Sequence, residues 1–266
     1  MLHRQLTAVS IVHETQFPTR GTGSVVVTAI ALLCGACFAG TEAKVDPHDP
    51  LAVIVPAMEK AQSEVQLPAQ IIREYHIGTP AKISTDSQVI AEMHYAPSLR
   101  YVIQKRYGSM RAEFVVKSVL QHELEISGSN QRLQAAAITH QNYDFQFAGN
   151  DSIEGHSCYV LQLLPKRGQP ELIRGKVWVD QQTFLIRRID GNLAKSPSWW
   201  VKAAHVDIHF SEFRGMWLQT SWNAQANVRC FGDQVLSSKI LDYAAAPAAP
   251  RNRRRAPPAF AAAAGH

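Results

Sequence analysis

Gly155-His-Ser-Cys-Tyr-Val-Leu-Gln-Leu-Leu-Pro-Lys-Arg167 and Gly175-Lys-Val-Trp-Val-Asp-Gln-Gln-Thr-Phe-Leu-Ile-Arg-Arg-Ile-Asp-Gly191 each read as strands bounded by turn residues. A Pro-Lys-Arg-Gly break, an Asp180-Gln-Gln turn and a closing Asp-Gly punctuate them. Apolar residues dominate between the breaks, and an aromatic-aliphatic run leads into Arg187-Arg188, read as a strand end. At such an end one arginine is expected to pair with a carboxylate on the wet face.

The clearest alternation lies further on, in Met216 to Cys230. Met216, Leu218, Thr220, Trp222, Ala224, Ala226, Val228 and Cys230 fall on one face; Trp217, Gln219, Ser221, Asn223, Gln225, Asn227 and Arg229 fall on the other. A period of two over this length predicts a long strand, or two joined strands, wet on one side. Val89, Ala91, Met93 and Tyr95 share a face in a strand from Ser87, and Leu99, Tyr101 and Ile103 resume the pattern after the Ala96-Pro97 turn. Tyr143, Phe145 and Phe147 alternate likewise. Two stretches change period: Leu51 to Val65, with Val55, Met58, Ala61, Gln62 and Val65 near helical spacing, and Phe114 to Leu124, with a Val119, Leu120, Leu124 stripe stopped near Gly128. Half-wet antiparallel strands with two or three helices predict an α+β fold, an antiparallel half-open β-barrel.

The 266 residues bound one large domain or two small ones; 46% apolar content suffices for a core, and 18% charge is too low for a disordered chain. Residues 1–39 read as a signal peptide: Val25 to Phe38 is an apolar run of fourteen residues, short of the about 20 that span a bilayer. Cys37-Phe-Ala39 then offers a small-x-small cleavage site before Gly40. Cys34-Gly-Ala-Cys37 has the small residues of a lipobox without its aliphatic residue, so plain cleavage is expected; lipidation of Cys37 would instead anchor the protein to a membrane. A Pro-broken linker occupies residues 40–50, a folded domain is expected over 51–243, and an Ala/Pro/Arg tail over 244–266 is expected to be disordered. Removing Arg4, Arg20 and the four tail arginines from 27 basic residues, and Glu14 from 22 acidic ones, leaves 21 of each in the body. A neutral body gives no basic face for nucleic acid.

Reactive motifs are missing. His205 and His209 alternate with Val206, Ile208 and Phe210 on a strand, which puts the rings about 13 Å apart and makes a metal pair unexpected. His122-Glu123 lacks the second histidine of a zinc-protease helix, and the chain has no Gly-x-Ser-x-Gly, no phosphate-binding Gly-rich loop and no dinucleotide fingerprint. No enzyme, catalytic residue, cofactor or metal is expected. Cys158 and Cys230 remain once the leader is gone; Cys158 falls opposite the Tyr159, Leu161, Leu163 face and Cys230 on the apolar face of its strand, which argues against a bridge. Trp199-Trp200 beside Pro197 reads as one ring capping the core and one partly exposed, with a cavity or membrane rim as the alternative.

The strand ending in Trp178-Val-Asp180, its short turn and the following strand resemble the outer-membrane lipoprotein carrier family, LolA/LolB-like. The resemblance runs from about Ile71 to Tyr243 and takes in Met93-His-Tyr-Ala-Pro-Ser-Leu-Arg100 and Gly215-Met-Trp217. It implies helices covering the open side of the half-open barrel, a lipid-binding domain over 51–243, and a periplasmic carrier or binder of lipoprotein or lipid acyl chains, active in outer-membrane lipoprotein sorting. The chain departs from the family in longer strands, in an extra segment from Ala194 to Val201, and in having no assignable counterpart of the family's helix-contacting arginine. An acyl chain needs a dry wall, and each buried methylene contributes about 0.8 kcal/mol. One face of each strand offers candidates for that wall: Met93, Tyr95, Tyr101, Ile103, Tyr159, Leu161, Leu163, Phe184, Ile186, Leu218 and Trp222. Expected partners are acyl chains and the envelope membrane surface, the latter including weak attraction of the tail arginines to anionic headgroups. The alternative is a periplasmic sensor or protein-interaction module with the same fold and a filled core. If export is correct, protein recovered from the cell envelope begins near Gly40 in N-terminal sequencing; a full-length cytoplasmic chain would refute it.

Overall fold

The chain lays down its strands as two meanders. A computed structural model describes residues 49–80, 87–196, 201–229 and 232–245, excepting the Arg111 side chain. Helix α1 (Leu51–Glu64) leads into β1 (Pro68–Gly78), β2 (Ser87–His94) and β3 (Arg100–Tyr107). Helices α2 (Met110–Ser127) and α3 (Asn130–Ala136) follow. The second meander is β4 (Tyr143–Ile153), β5 (His156–Pro165), β6 (Ile173–Asp180), β7 (Ile186–Leu193), β8 (Val201–Phe213), β9 (Met216–Val228) and β10 (Gly232–Ala245). Together they form one ten-stranded antiparallel sheet in the order β3-β2-β1-β10-β9-β8-β7-β6-β5-β4. β1 against β10 is therefore the seam between meanders, and β3 and β4 are the two edges of a sheet that does not close.

Local chemistry accounts for the helix ends. Asp49 Oδ1 accepts the Leu51 N–H at 2.9 Å at the start of α1. Ser109 caps α2 by accepting the Ala112 N–H, and Ser129 caps α3 by accepting the Arg132 N–H. At Gly128 the N–H returns to the Leu124 carbonyl, ending α2 where the sequence places its stop.

The β6–β7 turn is built on Asp180. Its Oδ1 accepts the N–H groups of Gln182 and Thr183, both at 2.9 Å, and its Oδ2 takes Arg187 Nε at 2.6 Å. Burial alone would push the carboxyl up, but the Thr183 N–H, the Arg187 guanidinium and the Gln182 N–H hold it down to about 2. Phe184 takes φ +55 in this turn, so the regular strand begins only at Ile186. Arg187 and Arg188 thus open β7 rather than end a strand. Both find carboxylates, Arg187 at Asp180 and Arg188 at Asp207 and Asp190.

Most apolar side chains gather in one cluster on one face of the sheet. It holds Ile54, Val55 and Met58 of α1, Val116, Val119 and Leu120 of α2, and strand residues from Val89 to Leu236. A small cluster of Cys158, Val160 and Trp178 lies on the other side of β5 and β6, as alternation requires; Trp178 Nε1 donates to Asp151 Oδ2 at 2.9 Å there and Arg188 sits 4.9 Å over the ring. Cys158 is a free, buried thiol, while Cys230 and Trp199-Trp200 lie outside the described residues. So do residues 1–48 and 246–266. β10 continues through Ala244 and Ala245, which pair with Gln70 and Pro68, two residues beyond the expected domain boundary.

The strict alternation expected from Met216 to Cys230 breaks at Thr220. β8 pairs His209 with Ser221 but Phe210 with Gln219, so Thr220 is an extra residue on β9. The bulge shifts the phase: Trp217 and Trp222, an odd number of residues apart, both pack on the main cluster. Leu218 is fully buried instead in a second cluster with Ile71 and Ile240.

β6 and β7 approach closely where Gly175 pairs with Gly191. A Cβ on Gly175 would stand 2.0 Å from the Asp190 carbonyl oxygen, and one on Gly191 2.5 Å from that of Arg174. Gly191→Ala should therefore destabilise the fold by about 3 kcal/mol or more. Gly168→Ala, which meets nothing closer than 4.0 Å, should stay within about 1 kcal/mol. Urea titration of both variants checks this.

Candidate functional site

The expected apolar wall separates into a floor and a rim. Leu161, Leu163 and Ile186 are fully buried, and Met93 and Trp222 nearly so, all in the main cluster. Tyr95, Tyr101, Ile103, Tyr159 and Phe184 are partly buried against the same cluster. Tyr159 stacks on Phe184 with centroids 6.3 Å apart and meets Phe147 edge-on at 6.4 Å, an aromatic row across β4, β5 and the β6–β7 turn. Of the eleven candidates only Leu218 falls outside this cluster, because the Thr220 bulge turns it away.

A polar group that periodicity did not flag lies within this apolar surround. Arg73 on β1 occupies the same phase as Tyr75 and Ile77, so its guanidinium is buried with them. Nη2 donates to the Gln219 carbonyl at 2.6 Å and lies 3.4 Å from Gln219 Oε1. Nη1 has no hydrogen-bond partner among the described residues, and neither do Trp217 Nε1 and Trp222 Nε1. Each such buried donor costs about 1–3 kcal/mol unless something accepts its hydrogen. The signal available in the sequence was an arginine at the core phase of an otherwise apolar strand face.

Glu123 enters the same region from α2. It is buried and accepts a hydrogen bond from the Tyr95 hydroxyl. Burial raises its carboxyl above the usual carboxylate range, against the opposing pull of the Tyr95 hydroxyl and the Arg73 charge. The neighbouring hydroxyls respond in turn: burial, then the Glu123 charge, lifts both Tyr75 and Tyr95 well above the ordinary phenol value. Tyr75 meets Trp222 edge-on at 6.3 Å, linking this polar group to the apolar floor.

The histidines read as strand residues behave as such. His205 and His209 on β8 stand beside Asp190 and Asp207, respectively, in the ion-pair network around Arg188. That network is half-exposed. Its geometry suits a solvated sheet surface rather than a reactive centre.

The likeness to lipoprotein carriers stated from the sequence recurs among solved structures. A LolA superfamily protein from Nitrosomonas europaea matches at 16% identity with TM-score 0.36, covering 73% of this chain and 94% of that one. A putative outer-membrane lipoprotein-sorting protein domain from Vibrio parahaemolyticus matches at 9% identity with TM-score 0.37, covering 71% and 90%. A DUF1329 family protein from Desulfovibrio piger matches at 12% identity, with the same TM-score, over 74% and 93%. No protein-family model and no curated protein sequence matches the chain.

Glu123 makes a pH test of the buried polar group. Its folded value is raised, so the folded protein binds more protons than the unfolded chain between the two values, and stability falls as pH rises through that window. Glu123→Gln keeps an acceptor for Tyr95 and removes the ionisation. It should unfold at a higher temperature than wild type at pH 8, with the gap narrowing towards pH 4 in a calorimetric series.

Proposed function

We propose that this chain is an exported, non-enzymatic binder of lipid or lipoprotein acyl chains, with the sheet curled into a half-open barrel and α1 and α2 over its open side. The observation that carries the reading is the set of buried donors on Arg73 and Trp222 that find no acceptor among the described residues, beside the apolar floor. A lipid matches both parts: its acyl chain suits the apolar wall, and its ester or carboxylate oxygens suit the donors. The partly exposed aromatic row of Tyr159, Phe184 and Phe147 supports a rim through which an acyl chain passes.

A second reading has its own observation. Leu161, Leu163, Val177 and Ile186 are already fully buried in the same cluster as Met58, Val116 and Leu120 of the helices, which favours a filled-core interaction or sensor module. Native mass spectrometry for co-purified lipid and displacement of a fluorescent fatty acid separate the two. On the carrier reading wild type binds, and Tyr159→Ser weakens displacement about tenfold, the equivalent of about 1.4 kcal/mol of apolar contact. Ile153→Ser, beside the cluster on the opposite face, leaves affinity unchanged. A wild-type protein that neither carries lipid nor takes up the probe would establish the filled core instead.

A further inference from the structure

The corner where β3 turns into α2 exposes three large apolar side chains within eight residues. Tyr107 is 60% exposed, Met110 82% and Phe114 65%. Met110, Phe114 and Lys117 stand at i, i+4 and i+7, so they share one stripe of α2. Isolated apolar residues are ordinary on a surface; a contiguous group that includes a methionine and two aromatic rings marks a contact. The corner is also held in shape. Ser109 N–H donates to Ser87 Oγ at 3.0 Å, and Arg106 at the end of β3 pairs with Glu113 in the first turn of α2.

Charge identifies the occupant. Residues 105–117 contain four basic residues, Lys105, Arg106, Arg111 and Lys117, against the single acid Glu113. The body of the protein carries equal numbers of each sign, so this corner holds a local positive excess that the remainder balances with acid. Arg106 and Lys117 both engage Glu113, whose carboxyl their hydrogen bonds hold below the usual range, so two cations share one anion. An amphipathic helix end with methionine and phenylalanine at its tip and lysine and arginine around it has the composition that partitions into an interface. The cations would meet anionic headgroups while the apolar tips enter the acyl boundary. We infer that the β3–α2 corner docks on an anionic membrane surface, with Met110 and Phe114 as the inserting residues. This surface is distinct from the apolar wall, whose residues lie in the main cluster.

The test uses the full chain and flotation with two vesicle types, phosphatidylcholine alone and phosphatidylcholine mixed with phosphatidylglycerol. Wild type should float with the mixed vesicles, at least about tenfold more strongly than with the zwitterionic ones, and lose binding as salt rises. Met110→Ser with Phe114→Ser should weaken flotation by about tenfold or more, and Lys105→Glu should weaken it several-fold. All three side chains are exposed, so melting by circular dichroism should be unchanged. Replacing Arg251, Arg253, Arg254 and Arg255 by serine separates the tail from the corner; that variant should float like wild type. Fatty-acid displacement by the Met110/Phe114 double variant should match wild type, which keeps this result independent of the acyl-binding reading. Unchanged flotation of the double variant, or loss confined to the tail variant, would overturn the assignment. So would wild type floating with neither vesicle, the outcome expected of an acidic protein partner.

Discussion

β3 and β4 are consecutive strands in the chain and opposite edges of the sheet. The segment between them, α2 with α3, must therefore connect one edge to the other. Eighteen residues of α2 reach about 27 Å, so the helix lies across a face instead of standing beside an edge. That constraint explains why Val116, Val119 and Leu120 share a cluster with distant strands. It also brings Glu123, on the sheet side of α2, to the hydroxyl of Tyr95. The position of the buried polar group thus follows from the crossing.

The polar group and the apolar floor pull in opposite energetic directions. A guanidinium held in an apolar surround is stabilised only by what it can donate to, and Gln219 takes Nη2 while Nη1 finds no acceptor among the described residues. Glu123 lies near enough for its charge and that of Arg73 to be felt by each other, yet burial favours its neutral form. A fold optimised for stability alone would place aliphatic side chains here.

Much of this architecture was legible because it follows from period and punctuation. The α1 and α2 stripes, the strands from Ser87 and Tyr143, and the two faces of β5 all appear where alternation put them. Three things were not legible, for separate physical reasons. Thr220 satisfies the alternation by residue type, so nothing in the sequence marks it as the extra residue that turns Leu218 away from Trp222. The seven residues of α3 are too few to display a period. Phe184 takes a left-handed backbone that its type disfavours, so the turn after Asp180 extends further than its turn-forming residues suggest. Tyr159 and Phe184 of the aromatic row were picked out by alternation, whereas Phe147 read as an ordinary strand residue and Arg73 drew no reading, since an arginine in a strand usually points to water.

The seam between β1 and β10 has a kinetic consequence. Tyr75 pairs with Ser238, residues far apart in the chain, and no earlier strand can stand in for β10. Loop closure over that distance is entropically demanding, so a sheet joined in this way forms slowly and late. The first meander, β1 to β3, is made first and waits with one strand unpaired until the last described strand has been synthesised. During that interval the open edge of β1 is a surface for a chaperone to cover.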